Sequence, residues 1–302
     1  MAPAGLCWPP YGHAMTGTRV LTAAVLIPAV VAAVLWADTW VIAAAIGVVL
    51  ILCLHEFFRL SAAAGTASDP RWTTVCALLL VILQWMVVQY PGVWMHSDFG
   101  VLYSPDRSPL PPETAFLVLV LGASALAARG RAPWKDAIAR LCVDCAGMLL
   151  IAFPLSTLIP LHAAHGLGPR MVLFLLVLLW VGDSLAYFTG RAIGRHKMAP
   201  ELSPGKTWEG AVANLAGSVL VAIAAARWIA IPVAHLCAMA VLGNIAGQLG
   251  DLTESAYKRA AGAKDSGALL PGHGGMLDRV DSLIFAAPVV WYYFRMLLPA
   301  VN

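Results

Sequence analysis

Four stretches in the second half of the chain carry residue types and spacings suited to chemistry. The first surrounds Asp183, which lies in the otherwise apolar run Trp180–Ala186. A carboxylate at the centre of a bilayer costs about 2.5–3.5 kcal/mol on insertion scales, so a metal ion, a basic partner or water must offset that cost. A hydrogen bond between two helices is the simpler alternative for Asp183.

The second stretch comes just before an expected helix. Ser203, Lys206 and Thr207 place two hydroxyl groups and an ammonium group near a helix start, where backbone N–H groups attract anions. Gly205 and the two residues after it are similar to the end of a phosphate-binding P-loop. Pro200 occupies the position of that motif's first glycine, so the full motif is absent from the sequence. The alternative is a helix cap beside a solvated lysine.

The third stretch is the end of a predicted membrane helix. Asp251, Glu254, Ser255 and Lys258 follow the spacing i, i+3, i+4 and i+7, which places all of them on one helix face. Two carboxylates, a hydroxyl and an ammonium group therefore form one polar stripe. Gly262 is expected to end this helix.

The fourth stretch combines charges of both signs with several glycines. Glycines such as Gly274 and Gly275 let the backbone approach a ligand closely, and Asp278 and Asp281 share one face of the following helical turn. Carboxylates are hard ligands for Mg²⁺, whereas Lys and Arg neutralise phosphate charge. The stretch therefore predicts a Mg²⁺-nucleotide site, with a solvated charged loop as the alternative. His273 is a candidate ligand or base, or a plain loop residue.

Membrane helices are the elements that must position these residues. Of the 302 residues, 60% are hydrophobic and only 12% are charged, with a mean hydropathy of +0.79; soluble domains carry roughly 25% charged residues. We predict an all-α polytopic integral membrane protein with about nine transmembrane helices, each needing about 20 apolar residues. The expected spans are roughly 19–36, 39–55, 73–91, 115–128, 140–161, 171–190, 210–226, 234–250 and 281–298.

The basic residues favour one orientation of these spans. With the N-terminus placed in the cytoplasm, 15 of the 19 Lys and Arg residues fall in inner segments. An excess of positive charge on the cytoplasmic side is the usual determinant of topology. We therefore expect a cytoplasmic N-terminus, a loose tail over residues 1–16 and a single transmembrane domain over 17–302.

The motifs resemble the signature of the phosphatidate cytidylyltransferase (CDP-diacylglycerol synthase) family. The signature elements are Ser255-x-x-Lys258-Arg259, Lys264-Asp265, Pro271-x-His273-Gly274-Gly275 and Asp278-Arg279-x-Asp281. Upstream motifs of the family match Asp183-Ser-x-Ala-Tyr187, Ser203-Pro-x-Lys206-Thr207-Trp208-Glu209-Gly210 and Gly250-Asp251. The resemblance covers about residues 17–298, and Leu185 departs from the small residue that the family usually has there.

The resemblance implies an activity and a set of roles. The family joins CTP and phosphatidate into CDP-diacylglycerol and pyrophosphate, needs Mg²⁺, and is typically homodimeric. Catalytic roles are assigned to Asp183, Lys206, Lys258, Arg259, Lys264, Asp265, His273, Arg279 and Asp281. Cofactor binding is assigned to Ser203, Thr207, Glu254, Ser255, Gly274 and Gly275, and metal binding to Asp251 and Asp278.

The motifs and the charge distribution also predict where the protein lies in the cell, and they leave two alternative functions open. We expect a multi-pass protein of the inner cell membrane, with a cytoplasmic active site, a site for a second cation as an option, and no nucleic-acid partner. One alternative is an ion-coupled transporter with Asp183 and Asp251 as its coupling acids. Another keeps the enzyme class but changes the lipid, as in a CTP-dependent lipid kinase or an archaeal-type cytidylyltransferase.

Overall fold

The computed structural model describes most of the chain. The described residues are 16–89, 93–97, 100–104, 114–129, 134–164, 166–267 and 274–301. For 16–23, 93–97, 100–104, 126–129, 134–135 and 297–301 only the backbone is described. Residues 1–15 of the predicted tail, and the candidate His273, lie outside the described residues.

Helices make up most of the described structure. The helices before the midpoint are α1 (Thr16–Trp36), α2 (Thr39–Ala63), α3 (Pro70–Gln89), α4 (Thr114–Arg129) and α5 (Trp134–Gly147). A π-helical turn (Met148–Ala152) then leads into α6 (Phe153–Ser156) and α7 (Leu158–Ala163). The remaining helices are α8 (Gly168–Ile193), α9 (Trp208–Ala225), α10 (Val233–Ala260) and α11 (Leu277–Val301).

Every predicted span falls on a helix, and six helical segments are long and apolar enough to cross a membrane. These six are Thr39–Ala63, Pro70–Gln89, Asp136–Ala163, Gly168–Ile193, Trp208–Ala225 and Val233–Ala260. Among the described residues, Ala24–Trp36 and Thr114–Ala125 are apolar but shorter. The structure is thus that of a multi-helix membrane protein, whereas the count of nine spans and the side of the N-terminus stay predictions.

The segment Asp136–Ala163 is long enough to cross a membrane as one unit, but its helix is interrupted locally. Pro154 and Pro160 lie inside it, and neither can donate a backbone N–H to the preceding helical turn. The chain accommodates them by a π-helical turn before Phe153 and a turn at Thr157. The predicted span 140–161 is therefore several short helices rather than one regular helix.

Two antiparallel hairpins qualify the all-α prediction. Strands β1 (Val93–Ser97) and β2 (Gly100–Ser104) form the first hairpin, and β3 (Lys197–Ala199) and β4 (Ser203–Thr207) form the second. The second hairpin contains prolines that cannot continue a helix, and its register is irregular. This hairpin connects α8 to α9 and brings the Ser203–Thr207 strand beside the helix ends.

The last four long helices pack closely through small residues. A side chain at Gly182 of α8 would collide with Asn214 of α9, and one at Gly250 of α10 would collide with the Asp281 carbonyl of α11. Small residues let membrane helices approach at short distance, where packing and polar contacts replace the hydrophobic effect. The polar faces of α8, α9, α10 and α11 are therefore held against one another.

Two helix ends follow the sequence expectations. Thr207 is the N-cap of α9, and its hydroxyl accepts a hydrogen bond from the Gly210 N–H at 3.1 Å. Helix α10 ends at Ala260, and Gly262 follows with φ of +66°, a conformation that favours glycine. The predictions of a helix start after Thr207 and of a helix end at Gly262 are both confirmed.

Candidate active site

One cavity collects residues from all four chemically suited stretches. It has a volume of about 630 Å³ and lies where α8, α9, α10, α11 and the β3–β4 hairpin meet. Among the residues singled out from the sequence, it is lined by Asp183, Ser203, Lys206, Thr207, Asp251, Asp278 and Asp281. Stretches that are distant along the chain thus share one space.

Three carboxylates converge at the border of this cavity. Asp251 and Glu254 lie one turn apart on α10, and Asp281 lies in the second turn of α11. One carboxylate oxygen from each lies within 4.8 Å of the others. Because like charges repel at such distances, the cluster needs positive charge close by.

Lys258 supplies part of that charge and connects the cluster to Asp278. Its ammonium group forms an ion pair with Glu254 and lies 2.6 Å from Asp278 Oδ1. Asp278 Oδ2 accepts hydrogen bonds from the Ser266 N–H at 2.9 Å and the Gly275 N–H at 2.8 Å. Burial alone would raise the pKa of the Asp278 carboxyl, but the Lys258 and Gly275 hydrogen bonds outweigh it and hold that pKa below its usual value.

Lys206 supplies charge from the hairpin side. Its Nζ lies 2.7 Å from Asp251 Oδ2, outside normal hydrogen-bond geometry but well within ion-pair distance. The β4 strand places this side chain at the cavity wall, directly before the start of α9. A mobile basic group facing a carboxylate can transfer its interaction to an incoming anion.

A chain of hydrogen-bonded side-chain amides, called the amide ladder below, fixes the Asp183 carboxylate. Asn214 Nδ2 donates to Asp183 Oδ1 at 3.0 Å, and Asn244 Nδ2 donates to Asn214 Oδ1. Asn244 also contacts Ser218 Oγ at 2.7 Å and accepts from Gln248 Nε2 at 2.7 Å. Asn214 and Asn244 are buried, so each amide depends on these partners.

Comparisons with known proteins identify the family of the chain. A sequence profile described as the cytidylyltransferase family matches residues 17–297. The chain belongs to this family. The phosphatidate cytidylyltransferase of Synechocystis sp. is 32% identical over 297 residues, covering 94% of this chain and 99% of the relative. That of Haemophilus influenzae is 31% identical and covers 94% of this chain and 100% of the relative.

A third relative is more similar over a shorter region. The phosphatidate cytidylyltransferase of Brucella suis is 37% identical over 243 residues, covering 78% of this chain and 83% of the relative. All three relatives are phosphatidate cytidylyltransferases, and the matches to the first two span almost the whole chain. The family similarity is thus a property of the whole chain, not of one motif.

Some residues assigned from the sequence lie beside the cavity rather than on its lining. In the described part of the chain, Arg259 donates to the carbonyls of Leu202 and Ala263 and so braces the hairpin. Lys264 and Arg279 are exposed and lie outside the lining of this cavity. Ser255 and Asp265 also lie outside the lining and are buried and half-buried respectively, and Glu254, Lys258, Gly274 and Gly275 are likewise outside it. Their roles in this cytidylyltransferase family member stay predictions.

Several residues of the site escaped the sequence analysis. Asn214, Gln248 and Arg191 line the cavity. Tyr187 of α8 also lines it; the family motif contains this tyrosine, but no role was assigned to it. The available signal was polarity within apolar spans, because a buried amide in a membrane helix needs a polar partner. Glu56, which directly follows the second predicted span, also escaped; the structure continues that helix, α2, to Ala63, so this glutamate lies inside a helix of membrane-spanning length.

The carboxylate cluster fits the Mg²⁺ ion that the family resemblance implies. Glu254 is 4% exposed, and no described residue gives either of its oxygens a hydrogen bond of normal geometry. Asp251 and Asp281 add hard oxygen donors beside it. Asp278, assigned from the resemblance as a metal ligand, has both oxygens engaged by Lys258, Ser266 and Gly275. Asp251, Glu254 and Asp281 are thus the carboxylates best placed to hold the ion.

Proposed function

We propose that this chain transfers CMP from CTP to phosphatidate, giving CDP-diacylglycerol and pyrophosphate for phospholipid biosynthesis. The observation that carries the proposal is the convergence of acidic and basic side chains in one cavity at the ends of membrane helices. The named relatives, similar across almost the whole chain, support the same activity.

The proposed step is an in-line displacement at phosphorus. A phosphate oxygen of phosphatidate attacks the α-phosphorus of CTP, and a new P–O bond forms. The bond from the α-phosphorus to the bridging oxygen breaks, and pyrophosphate leaves with the electron pair. Since the attacking oxygen is already anionic, alignment and charge neutralisation matter more than a strong base.

The position of each side chain suggests its role in this reaction. Lys206 faces the cavity and would pair with the triphosphate in place of Asp251. Asp251, Glu254 and Asp281 would hold Mg²⁺, with Asp278 beside them through Lys258. When bound, the ion would neutralise phosphate oxygens and offset the charge that develops on pyrophosphate. Asp183, fixed by Asn214, would orient groups deeper in the cavity.

The location of the site is part of the proposal. CTP is water-soluble, whereas phosphatidate keeps its acyl chains in lipid, so the two meet only at a membrane surface. The excess of Lys and Arg in the segments that hold the motifs favours the cytoplasmic face of the inner cell membrane. We further propose a homodimer, as the family resemblance implies, with no nucleic-acid partner.

The test is transfer of label from CTP to lipid by the purified protein. The protein would be reconstituted in lipid nanodiscs containing phosphatidate and supplied with radiolabelled CTP, with and without Mg²⁺. We expect Mg²⁺-dependent label in a lipid whose mass equals that of CDP-diacylglycerol. A product that has gained only a phosphate would instead indicate a lipid kinase. Absence of any lipid product, together with CTP-independent ion flux when the same protein is placed in sealed liposomes, would favour a transporter.

A further inference from the structure

A buried carboxylate lies outside the cavity, on a helix that contributes nothing to its lining. Glu56 belongs to α2 and is 3% exposed. Its Oε1 accepts a hydrogen bond from the Met276 N–H at 2.9 Å, and its Oε2 accepts one from the Leu277 N–H at 2.8 Å. A buried carboxylate with well-formed partners is costly to place and costly to remove.

These hydrogen bonds fix the start of α11. Helix α11 begins at Leu277, so the N–H groups of Met276 and Leu277 are among those without a partner inside the helix. An acidic group at a helix N-terminus satisfies such donors and complements the helix dipole. Glu56 thus caps, from α2, the helix that carries Asp278 and Asp281.

Glu56 also contacts Ser266, which precedes α11 in the chain. The hydroxyl of Ser266 lies 2.8 Å from Glu56 Oε2 and 2.9 Å from Asp278 Oδ2. A hydroxyl has one proton to donate, so Ser266 serves both carboxylates with a single donor. A change at Glu56 therefore alters the hydrogen bonding of Asp278 directly.

Asp278 connects Glu56 and Ser266 to the carboxylate cluster. Its Oδ1 contacts the Lys258 ammonium, which in turn pairs with Glu254. The connection runs from Glu56 through Ser266 and Asp278 to Lys258 and Glu254. In buried polar networks each hydrogen bond polarises the next, so the effect of one change extends beyond its nearest neighbour.

Close packing around Glu56 explains one glycine of the signature. A side chain at Gly275 would collide with the carboxylate of Glu56 and the hydroxyl of Ser266, and one at Gly267 would also collide with Glu56. Glycine at 275 is therefore required by the approach of the backbone to Glu56 and Asp278. The sequence assigned Gly275 to cofactor binding, whereas its packing ties it to this carboxylate.

We infer that Glu56 is a positioning residue: it holds Ser266 and the start of α11, and so sets the geometry of Asp278, Lys258 and Glu254 at the proposed metal-binding carboxylates. The inference rests on the proposed function for its effect on turnover. Its structural part, the capping of α11, is independent of turnover. Glu56 acts through other residues and does not itself face the cavity.

The experiment compares Glu56 with a matched buried carboxylate. Asp144 is 1% exposed and accepts a hydrogen bond from the Asp69 N–H at 3.0 Å, just before α3. Glu56→Gln, Glu56→Ala and Asp144→Asn would be purified in nanodiscs beside the wild-type protein. The first readout is hydrogen exchange at the amides of residues 274–285 without nucleotide. The second is the Mg²⁺ concentration that gives half-maximal CMP transfer.

The expected effects are graded. Glu56→Ala should speed exchange at Met276 and Leu277 by about tenfold or more, because each lost bond to a charged acceptor is worth about tenfold in an equilibrium constant. It should also raise the half-maximal Mg²⁺ concentration by about tenfold. Glu56→Gln, which keeps one carbonyl acceptor, should lie between Ala and wild type. Asp144→Asn should change neither readout by more than about twofold.

A second variant keeps the test decisive if Glu56→Ala does not fold. Ser266→Ala cuts the connection from Glu56 to Asp278 but leaves the cap of α11, so it should shift the Mg²⁺ dependence several-fold with little change in exchange. Wild-type Mg²⁺ dependence in folded Glu56→Gln and Ser266→Ala would overturn the inference. Wild-type exchange in the Glu56 variants would overturn the capping role, even if the wild-type protein transferred no CMP at all.

Discussion

The two halves of the molecule, taken as the helices before α8 and the elements from α8 onward, bury polar groups in different ways. In the first half the buried groups form isolated contacts: Asp144 caps the start of α3, and His162 lies between Thr39 and the Val34 carbonyl. In the second half they are connected, as in the chain from Asp183 through the Asn214 and Asn244 amides. Isolated contacts stabilise the positions of helices, whereas connected contacts also fix one side chain relative to the next.

The charged side chains that could carry out chemistry are concentrated in one half of this fold. Leu50, Leu54 and Leu80 in the first half are fully buried and provide an apolar scaffold. The carboxylates and ammonium groups of the cavity all come from α8 onward. Glu56 does not line the cavity, but it differs from Asp144 in the first half because it is hydrogen-bonded to Ser266 and Leu277 of the second half.

The largest expected effect comes from removing charge at the centre of the connected half. Asp251→Asn should lower CMP transfer by about 10³-fold or more, because it removes a carboxylate that we propose binds Mg²⁺ and that is the partner of Lys206. The measurement is the initial rate of label transfer from CTP to lipid, per folded molecule. Asp38→Asn, an equal change at an exposed carboxylate before α2, should stay within about twofold of wild type.

Near-normal Mg²⁺-dependent transfer by Asp251→Asn would contradict the assignment of this carboxylate. It would also weaken the contrast between the halves, since an isolated and a connected carboxylate would then behave alike. Thermal unfolding of both variants in the same detergent ensures that any loss of rate is not loss of fold.

A smaller effect separates stability from rate. Asn244→Ala removes the amide that joins Asn214 to Ser218, and His162→Ala removes an isolated buried contact. Each should lower the free energy of unfolding by about 1–3 kcal/mol. Only Asn244→Ala should also lower the rate per folded molecule, by about tenfold, because Asn214, the partner of Asp183, is then no longer held by Asn244. Equal rates in the two variants would show that the ladder is merely structural.

Local patterns explain which parts of this site were predictable from sequence. The i, i+3, i+7 spacing of Asp251, Glu254 and Lys258 needs only helical geometry, and these side chains do share one face. The cap at Thr207 and the helix end at Gly262 also depend on neighbours within four residues. Such features follow from the chain itself, without knowledge of the packing.

Long-range contacts explain the rest. Glu56 and Ser266 are separated by 210 positions, and no local pattern relates them. The partners of Asn214 and Asn244 depend on how α8, α9 and α10 pack, which small residues permit but do not specify. The same limit applies to Asp278, because motif spacing does not reveal that the Ser266 and Gly275 N–H groups donate to its carboxylate.

The smallest expected effect tests where the connected half ends. In the β3–β4 region, Glu209 accepts hydrogen bonds from the His196 N–H and lies 2.7 Å from His196 Nδ1, but the His196 side chain is 80% exposed. Exposed pairs of this kind contribute little because water competes for both partners. Glu209→Gln should therefore change CMP transfer by less than about threefold, measured at saturating CTP. A loss above about tenfold would mean that this pair orders the strand carrying Lys206, and would extend the connected network from the helices into the hairpin.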